Sequence, residues 1–174
     1  MNLAIISVLV CELLLILFAA YLVISWISQT PFYPSSTRQL DKIFNDDSII
    51  LPEHISFVDI GSGDGRFVIW AARKGFKAEG IEYNPFLSLF SRFKLFVRRL
   101  PNGVIHNKDF RKHDYSKYNV AYLYIFSEHM NEIKDKLLSE MKTGSVLITN
   151  SFKFGDLQPD AKIDKYNIYY IKKA

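Results

Sequence analysis

The sequence predicts an α/β fold in which one transmembrane helix precedes a doubly wound, mostly parallel sheet. Three observations predict it. An apolar run, residues 3–27, is long enough to cross a bilayer. Strand-like and helix-like segments then alternate, which indicates a parallel sheet with helices on both faces. A glycine-rich turn, residues 59–65 (DIGSGDG), follows the first of these strands.

The first predicted domain, residues 1–28, is an uncleaved membrane anchor. A helix over residues 3–27 would span about 37 Å, more than the hydrocarbon core of about 30 Å. Tyr21 and Trp26 near its end suit the membrane interface. A cleaved signal peptide is the alternative, but no Lys or Arg precedes the run and no small-residue cleavage site follows it.

Charges around this run predict its orientation. Glu12 is the one charged residue before Arg38, and a carboxylate at that depth is either protonated against a partner helix or in contact with another membrane protein. Arg38 and Lys42 follow the run, which favours a single-pass protein whose C-terminal domain is cytoplasmic.

The remainder is predicted as a linker with a short helix, residues 29–45, and one domain, residues 46–174. Pro31 and Pro34 stiffen the linker, and the short helix covers 37–45. The predicted strands are 55–60, 78–82, 104–107, 119–126, 145–150 and two runs within 161–172 that are broken at 165–167. The predicted helices are 66–74, 85–100 and 128–141.

Composition excludes some classes of site. Apolar residues make up 49% of the chain and charged residues 23%, as in a folded globular protein. The single cysteine, Cys11, excludes a disulfide framework and a cysteine-based metal site. The four histidines have no ligand spacing, so no metal is expected. The net charge of +4 favours anionic lipid or nucleic acid as a neighbour, although a solvated surface explains it as simply.

The glycine turn is the predicted ligand site, because ligands of such sheets bind at the carboxyl ends of the strands. Gly61 and Gly63 allow the backbone to turn sharply and approach a ligand, and Gly65 allows the next helix to pack closely. The candidate cofactor-binding residues here are Asp59, Gly61, Ser62, Gly63, Asp64 and Gly65.

Asp59 indicates which ligand the turn holds. A dinucleotide-binding turn normally has an apolar residue at this position, because pyrophosphate repels a carboxylate. The methionyl part of S-adenosylmethionine carries an ammonium and a sulfonium, which tolerate that charge. The turn therefore favours S-adenosylmethionine, and an NAD-dependent oxidoreductase is the least favoured interpretation.

Later strands supply further candidates. Glu82, at the end of the second strand, is placed to accept hydrogen bonds from both ribose hydroxyls, unless it is a surface acid. Tyr83 and Asn84 either flank the adenosine or shape the start of the next helix. Asp109, after the third strand, is placed to accept from the adenine amino group with Phe110 over the ring; a turn cap is the alternative.

Residues 31–172 resemble class I S-adenosylmethionine-dependent methyltransferases, and more narrowly the small membrane-anchored lysine methyltransferases of the ATP synthase c subunit and adenine nucleotide translocase group. Three segments carry the resemblance: 31–44 after the anchor (PFYPSSTRQLDKIF), 57–85 and 108–137. It implies a Rossmann-like methyltransferase fold, S-adenosylmethionine as cofactor, and a role for Tyr33 and Pro34 in covering the cofactor and forming the active site. From its own residues that segment is only a proline-stiffened linker.

Candidate catalytic residues follow the fourth strand. A lysine acceptor, with an ordinary pKa of about 10.4, must lose a proton before transfer, and an apolar pocket lowers that pKa. Tyr124 is placed to touch the amine and Glu128 to orient it; a core tyrosine and a helix N-terminal acid are the alternatives. No Asn-Pro-Pro-Tyr type sequence follows this strand, so no nucleic-acid partner is expected.

The predicted function is S-adenosylmethionine-dependent N-methylation of a lysine in a membrane protein near the bilayer that holds residues 3–27. A methyltransferase acting on a lipid or quinone is one alternative. A membrane-tethered nucleotide-binding module without catalysis is another. Such a module would be expected to have a damaged glycine turn or to lack the acidic residue for the ribose, and this sequence has both intact. The resemblance suggests the mitochondrial inner membrane; the lack of an Arg- and Ser-rich transit segment favours a prokaryotic plasma membrane at least as well.

The helix at 85–100 has two interpretations. It is rich in Phe and contains Arg92, Lys94, Arg98 and Arg99. A basic, aromatic helix can lie on a membrane surface. In a doubly wound fold such a helix more often covers the sheet and has a solvated basic end.

Overall fold

The computed structural model describes residues 3–27, 36–125, 127–155 and 157–172, with the backbone alone for 24–27, 127 and 128. The chain divides into two compact units, residues 1–33 and 34–174. Tyr33 and Pro34, predicted to cover the cofactor, lie outside the described residues.

The first unit contains one helix, α1, over Leu3–Ile27. Its 25 residues match the predicted anchor helix. Within it, the stretch Leu3–Val23 is long and apolar enough to cross a membrane. The described leucine, isoleucine and valine side chains of this stretch are exposed, as lipid-facing side chains of a single spanning helix would be.

The second unit is built on a seven-stranded sheet. The strands are β1 (Ser56–Ile60), β2 (Lys77–Glu82), β3 (Gly103–Asn107), β4 (Val120–Leu123), β5 (Val146–Asn150), β6 (Ala161–Ile163) and β7 (Tyr166–Tyr170). Their order is β3-β2-β1-β4-β5-β7-β6. Strands β1 to β5 are parallel, and β7 runs antiparallel to both β5 and β6. The strand order reverses between β1 and β4, which makes that gap the switch point.

Helices cover both faces, and the predicted doubly wound fold is confirmed. They are α2 (Arg38–Phe44), α3 (Arg66–Arg73), α4 (Pro85–Val97) and α5 (Ser127–Glu140), with a 3-10 turn at Phe110–Lys112. The core on one face takes its buried side chains from α2, α3 and α4, and the core on the other takes them from α5. All four residues of β4 are buried, as expected for a central parallel strand.

Helix α2 packs into the first of these cores, and it lies within the short helix that the sequence predicts over 37–45. Leu40 and Ile43 are fully buried. Trp70 Nε1 donates to Asp41 Oδ1 at 3.0 Å, and Tyr166 Oη donates to Gln39 Oε1 at 2.7 Å. The helix is therefore bonded to both α3 and β7.

Three predicted boundaries were wrong. The helix predicted over 85–100 ends at Val97, since Arg99 has a φ of 53°. The fourth strand ends at Leu123 rather than at 126, because its last partners are Ile60 on β1 and Thr149 on β5. The break predicted at 165–167 lies instead at Asp164 and Lys165, so Tyr166 already belongs to β7. Asp164 has a φ of 52°, which Asp tolerates in a two-residue hairpin turn.

A polar cluster is built into the α5 side of the sheet. Glu79 accepts hydrogen bonds from His106 at 2.5 Å, Lys117 at 2.8 Å and Tyr118 at 2.8 Å. Burial raises the pKa of Glu79, but these hydrogen bonds outweigh it and lower the pKa to about 2. His113 lies 2.9 Å from the Tyr118 hydroxyl, and burial, with the positive charges nearby, lowers its pKa to about 4.

These shifts predict that acid destabilises the fold. The unfolded chain protonates His113 near its ordinary pKa of 6.5, whereas the folded chain does so only near 4. The free energy of unfolding therefore falls as the pH drops from 6.5 to 4. Glu79 extends the loss from 4.5 toward about 2. Melting temperatures of the full chain in detergent micelles across this range measure the effect.

His113→Phe should flatten the upper part of that profile, because it removes the group that the unfolded chain protonates first. His54→Phe, at an exposed histidine, is the matched control and should leave the profile unchanged. An equally steep profile in both variants would contradict the assignment to His113.

Candidate active site

The glycine turn lies at the switch point of the sheet. Ile60 pairs with Leu123 at the last register position of β1 and β4. Beyond it the chain continues as the turn on one side and as Tyr124 and Ile125 on the other. A Cβ on Gly61 would lie 3.2 Å from Ile125 Cγ2, so the two segments are in contact.

The turn has a backbone that only glycine adopts easily. Gly61, Gly63 and Gly65 have φ angles of 79°, 53° and 72°. The amides of Gly61 and Ser62 both donate to the carbonyl oxygen of Ile81, at 2.9 and 3.0 Å. The turn is thereby fastened to the end of β2.

Glu82 is the second fastening point. It is 8% exposed. Its Oε2 accepts from the Gly63 amide at 2.7 Å, and its Oε1 accepts from the Asn84 amide at 2.7 Å. Burial raises the pKa of Glu82, while these backbone hydrogen bonds oppose the rise. Because a carboxylate has about four acceptor positions, Glu82 can also accept a ligand hydroxyl.

Asp59 is buried with one oxygen unused. It is 2% exposed, and Oδ2 has no hydrogen-bond partner among the described residues. Burial raises the pKa of Asp59 well above its usual range, and the charges of Glu82 and Asp64 raise it further. A buried polar atom without a partner costs free energy, so the oxygen is an acceptor available to a ligand.

Asp64 binds protein groups. Its carboxylate accepts from Arg66 Nε at 2.8 Å and Lys94 Nζ at 2.8 Å, and Lys94 also donates to the Asp64 carbonyl at 2.6 Å. Burial raises the pKa of Asp64, but the hydrogen bonds from Arg66 and Lys94 outweigh it and lower the pKa. The side chain therefore ties the turn to α3 and α4.

Helix α4 approaches the turn too closely for a side chain at Gly65. A Cβ there would lie 2.8 Å from Ser91 Cβ, and Ser91 Oγ donates to the Gly63 carbonyl at 2.8 Å. A second close approach is at Gly80 in β2, where a Cβ would lie 2.7 Å from Ser62 Oγ. Sequence reasoning missed Gly80, although a glycine inside a strand is a known sign of close approach.

The candidates after β2 and β3 act as caps. Asn84 Oδ1 accepts from the amides of Phe86 at 2.9 Å and Leu87 at 3.3 Å, which caps α4. Asp109 Oδ1 accepts from the Arg111 amide at 3.0 Å and pairs with its guanidinium, whose hydrogen bonds lower the pKa of Asp109. The capping alternatives are therefore realised for both residues, and a ligand contact would have to be made alongside these bonds.

Their aromatic neighbours are less confined. Tyr83 is 59% exposed. Phe110 is half-buried, and its ring lies 5.9 Å from that of His129 in an edge contact. Both rings border the carboxyl ends of β2 and β3, where the sequence predicts the adenosine.

The residues predicted to contact the methyl acceptor follow β4, and β5 ends beside them. Tyr124 is half-buried, and Lys165 Nζ is 5.9 Å from its ring centre. The Glu128 side chain lies outside the described residues. Sequence reasoning missed Asn150, whose Nδ2 donates to Tyr122 Oη at 3.2 Å, and Ser151, which has a φ of 68°. The available signal in the sequence was the polar TNS run at the end of the apolar strand β5. In protein structures, non-glycine residues with positive φ cluster at functional sites.

A known protein family matches the part of the chain that contains this site. The family model of the ANTKMT methyltransferase domain matches residues 59–161, more than half of the chain. The chain belongs to this family. The match begins at Asp59 and runs through the glycine turn to β6, so it contains every candidate site residue except Tyr33 and Pro34.

Two curated relatives carry more specific names. The chain is 33% identical over 131 residues to the lysine N-methyltransferase of the ATP synthase c subunit from Homo sapiens, covering 75% of this chain and 55% of that one. It is 28% identical over 137 residues to adenine nucleotide translocase lysine N-methyltransferase of Mus musculus, covering 78% and 58%. This methyltransferase chain thus spans a little more than half the length of these relatives.

A solved structure has the same fold. The RNA methyltransferase of Salinibacter ruber, in complex with S-adenosyl-L-homocysteine, superposes with a TM-score of 0.72 at 25% identity. The superposition covers 82% of this chain and 95% of that one. The resemblance predicted from the sequence is confirmed by both kinds of comparison.

Gly65→Ala should destabilise the methyltransferase domain more than Gly75→Ala does. Both positions have positive φ, which costs a residue with a Cβ about 1–2 kcal/mol. Only Gly65 also meets Ser91, and overpacking adds about 1–3 kcal/mol; Gly75 has nothing within 4 Å. Melting temperatures of the full chain in detergent micelles compare the two, and equal losses would contradict the close approach of α4.

Proposed function

We propose that this chain is an S-adenosylmethionine-dependent protein-lysine N-methyltransferase acting on a membrane protein close to the bilayer. The observation that carries the proposal is the pair of buried carboxylates, Asp59 and Glu82, on either side of the glycine turn. Both relatives named above are lysine N-methyltransferases, which supports the reaction class.

The residues present fit this cofactor. The unpartnered Asp59 Oδ2 suits the ammonium of the methionyl part. Glu82 Oε1 and Oε2 accept from the backbone amides of Gly63, Tyr83 and Asn84, and a carboxylate has about four acceptor positions, so capacity for a ribose hydroxyl is left. The turn presents no Cβ at Gly61, Gly63 or Gly65, so a ligand can approach its backbone. The S-adenosyl-L-homocysteine bound to the solved structural relative supports the same cofactor.

The roles of Tyr124 and Glu128 toward the lysine acceptor are proposals. When bound, S-adenosylmethionine supplies a sulfonium methyl group that a neutral lysine nitrogen takes by in-line displacement, forming a C–N bond as the C–S bond breaks. The chain has to hold the lysine in line, exclude water and favour its neutral form. Tyr124 is the proposed contact for the amine, and Glu128 the proposed orienting group.

Rings beside Tyr124 supply an apolar surrounding that lowers the pKa of a lysine. Tyr122 lies 4.4 Å from Phe67 and 6.3 Å from Tyr166, measured between ring centres. All three are buried, so they form a rigid wall behind the half-buried Tyr124. Tyr33 and Pro34 are proposed to close the cofactor side.

The membrane-protein acceptor is inferred from α1. A helix that is apolar and long enough to span would hold the methyltransferase domain at a bilayer, where membrane proteins are the nearest lysine acceptors. The charges that follow it favour a cytoplasmic domain, and the mitochondrial inner membrane is the corresponding location in a eukaryote.

Glu82→Gln and Asp59→Asn should each weaken binding of S-adenosylmethionine by about ten- to a hundredfold. Each change keeps the shape of the side chain and removes a charge-assisted hydrogen bond to the ligand worth about 1.5–3 kcal/mol. Glu82→Gln also puts an amide donor where a carboxylate oxygen accepts from a backbone amide, which adds to the loss. Titration calorimetry on the full chain in micelles measures the affinity. Glu53→Gln, at an exposed glutamate, is the matched control. Unchanged affinity in both site variants would overturn the cofactor assignment.

The acceptor is found by mass spectrometry of membrane proteins from cells with and without the gene. The proposal expects a methyl-lysine that disappears with the gene and returns with the wild-type chain but not with Glu82→Gln. Labelled methyl groups that extract into the organic phase instead of staying with protein would replace the lysine acceptor by a lipid or quinone.

A further inference from the structure

Helix α4 turns its apolar side chains outward. Five large hydrophobic residues lie on this side, and we call them the outer face of α4: Leu89 (66% exposed), Phe90 (53%), Phe93 (62%), Phe96 (79%) and Val97 (57%). Their spacing of three, four and seven residues puts them on one side of a helix. The side that meets the sheet carries Ser88, Ser91 and Leu95.

The inward side has to be small. Ser91 lies where a Cβ on Gly65 would be 2.8 Å away and bonds the Gly63 carbonyl. A phenylalanine at position 91 would push α4 off the turn. Burying a side chain of this size stabilises a protein, so an outward row of them marks an interaction surface.

The charge of α4 and of the turn that follows it is entirely positive. Residues 85–100 contain Arg92, Lys94, Arg98 and Arg99 and no acidic residue, a local charge equal to the net +4 of the whole chain. Lys94 is bound by Asp64. Arg92, Arg98 and Arg99 are exposed, and no acidic side chain in the described part of the chain forms an ion pair with them.

We propose that the outer face of α4 docks on an anionic lipid bilayer. The apolar side chains would enter the boundary between headgroups and acyl chains, and the exposed arginines would meet lipid phosphate groups. Symmetric pairing with a second copy is disfavoured, because it would bring the arginines of both copies together. A bilayer is also the partner that α1 would keep within reach, so the inference shares the proposed anchor.

Docking would set the height of the active site above the membrane. The inward side of α4 touches the glycine turn through the 2.8 Å hydrogen bond from Ser91 to Gly63. The turn would then lie about 10 Å, one helix diameter, from the lipid. Acceptors would be restricted to lysines near the membrane surface, which deepens the proposed function.

Spin labels on single cysteines test the docking in the full chain. With Cys11→Ser removing the one native cysteine, labels are placed by Leu14→Cys in α1, Phe93→Cys on the outer face and Asp135→Cys on α5, which is exposed. The chain is reconstituted in nanodiscs of phosphatidylcholine, with or without phosphatidylglycerol. Collisions with oxygen report lipid, and collisions with a water-soluble nickel complex report water.

The proposal expects label 93 to favour oxygen, more strongly with phosphatidylglycerol, while label 135 favours nickel. Label 93 in water with label 14 in lipid would overturn the docking and leave the anchor intact. Label 93 shielded from both reagents would assign the face to protein and overturn the docking as well. Label 14 in water would overturn the prediction that α1 is a membrane anchor. The docking of α4 would still be decided by whether label 93 lies in lipid or in water.

A charge reversal tests the arginines separately. Arg98→Glu with Arg99→Glu should abolish the gain that phosphatidylglycerol gives at position 93. Lys142→Glu with Lys153→Glu makes the same charge change at exposed lysines away from α4 and should keep the gain. If both pairs of substitutions lose this gain equally, the gain depends on the net charge of the chain alone, and docking through α4 would be overturned.

Discussion

The close approach of three chain segments at Gly63 is the constraint on which the rest of the domain depends. Its amide is bound by Glu82 at the end of β2, and its carbonyl is bound by Ser91 on α4. Both neighbouring glycines, Gly61 and Gly65, have positive φ, so the turn presents backbone instead of side chains. The position of α4, the orientation of Glu82 and the free space over the sheet edge all follow from this one junction.

The junction is expensive for folding. It buries Asp59 and Glu82 next to each other, and burial raises the pKa of both. A fold selected only for stability would place apolar side chains there, as it does at the same edge in β4 with Leu123. Glycines at positive φ and buried acids at one place are typical of a functional site whose free-energy cost is offset elsewhere in the domain.

The pattern of apolar residues was enough to predict every helix and strand of the second unit. The helices repeat their buried face, and the central strands β4 and β5 are continuous apolar runs. The end of β4 at Leu123 was not predicted, since it depends on where Ile60 and Thr149 stop offering backbone partners. The cap at Asn84 was foreseen as an alternative, but choosing it required the amides of α4 in three dimensions. The contact that makes Gly80 necessary joins two separate segments and leaves only a weak local sign.

The outward phenylalanines of α4 follow from the same junction. Because the side chain at position 91 meets the space that Gly65 leaves, a bulky residue cannot stand there, and the phenylalanines of this helix face away from the sheet. In a protein surrounded entirely by water, exchange of Phe93 and Phe96 for polar residues would cost the core nothing, since both are exposed. Their presence beside exposed arginines is explained if that side of the helix meets a surface both apolar and anionic. The packing of α4 against the glycine turn thus gives the helix two functional sides. One side contacts the turn that binds the cofactor, and the other faces lipid.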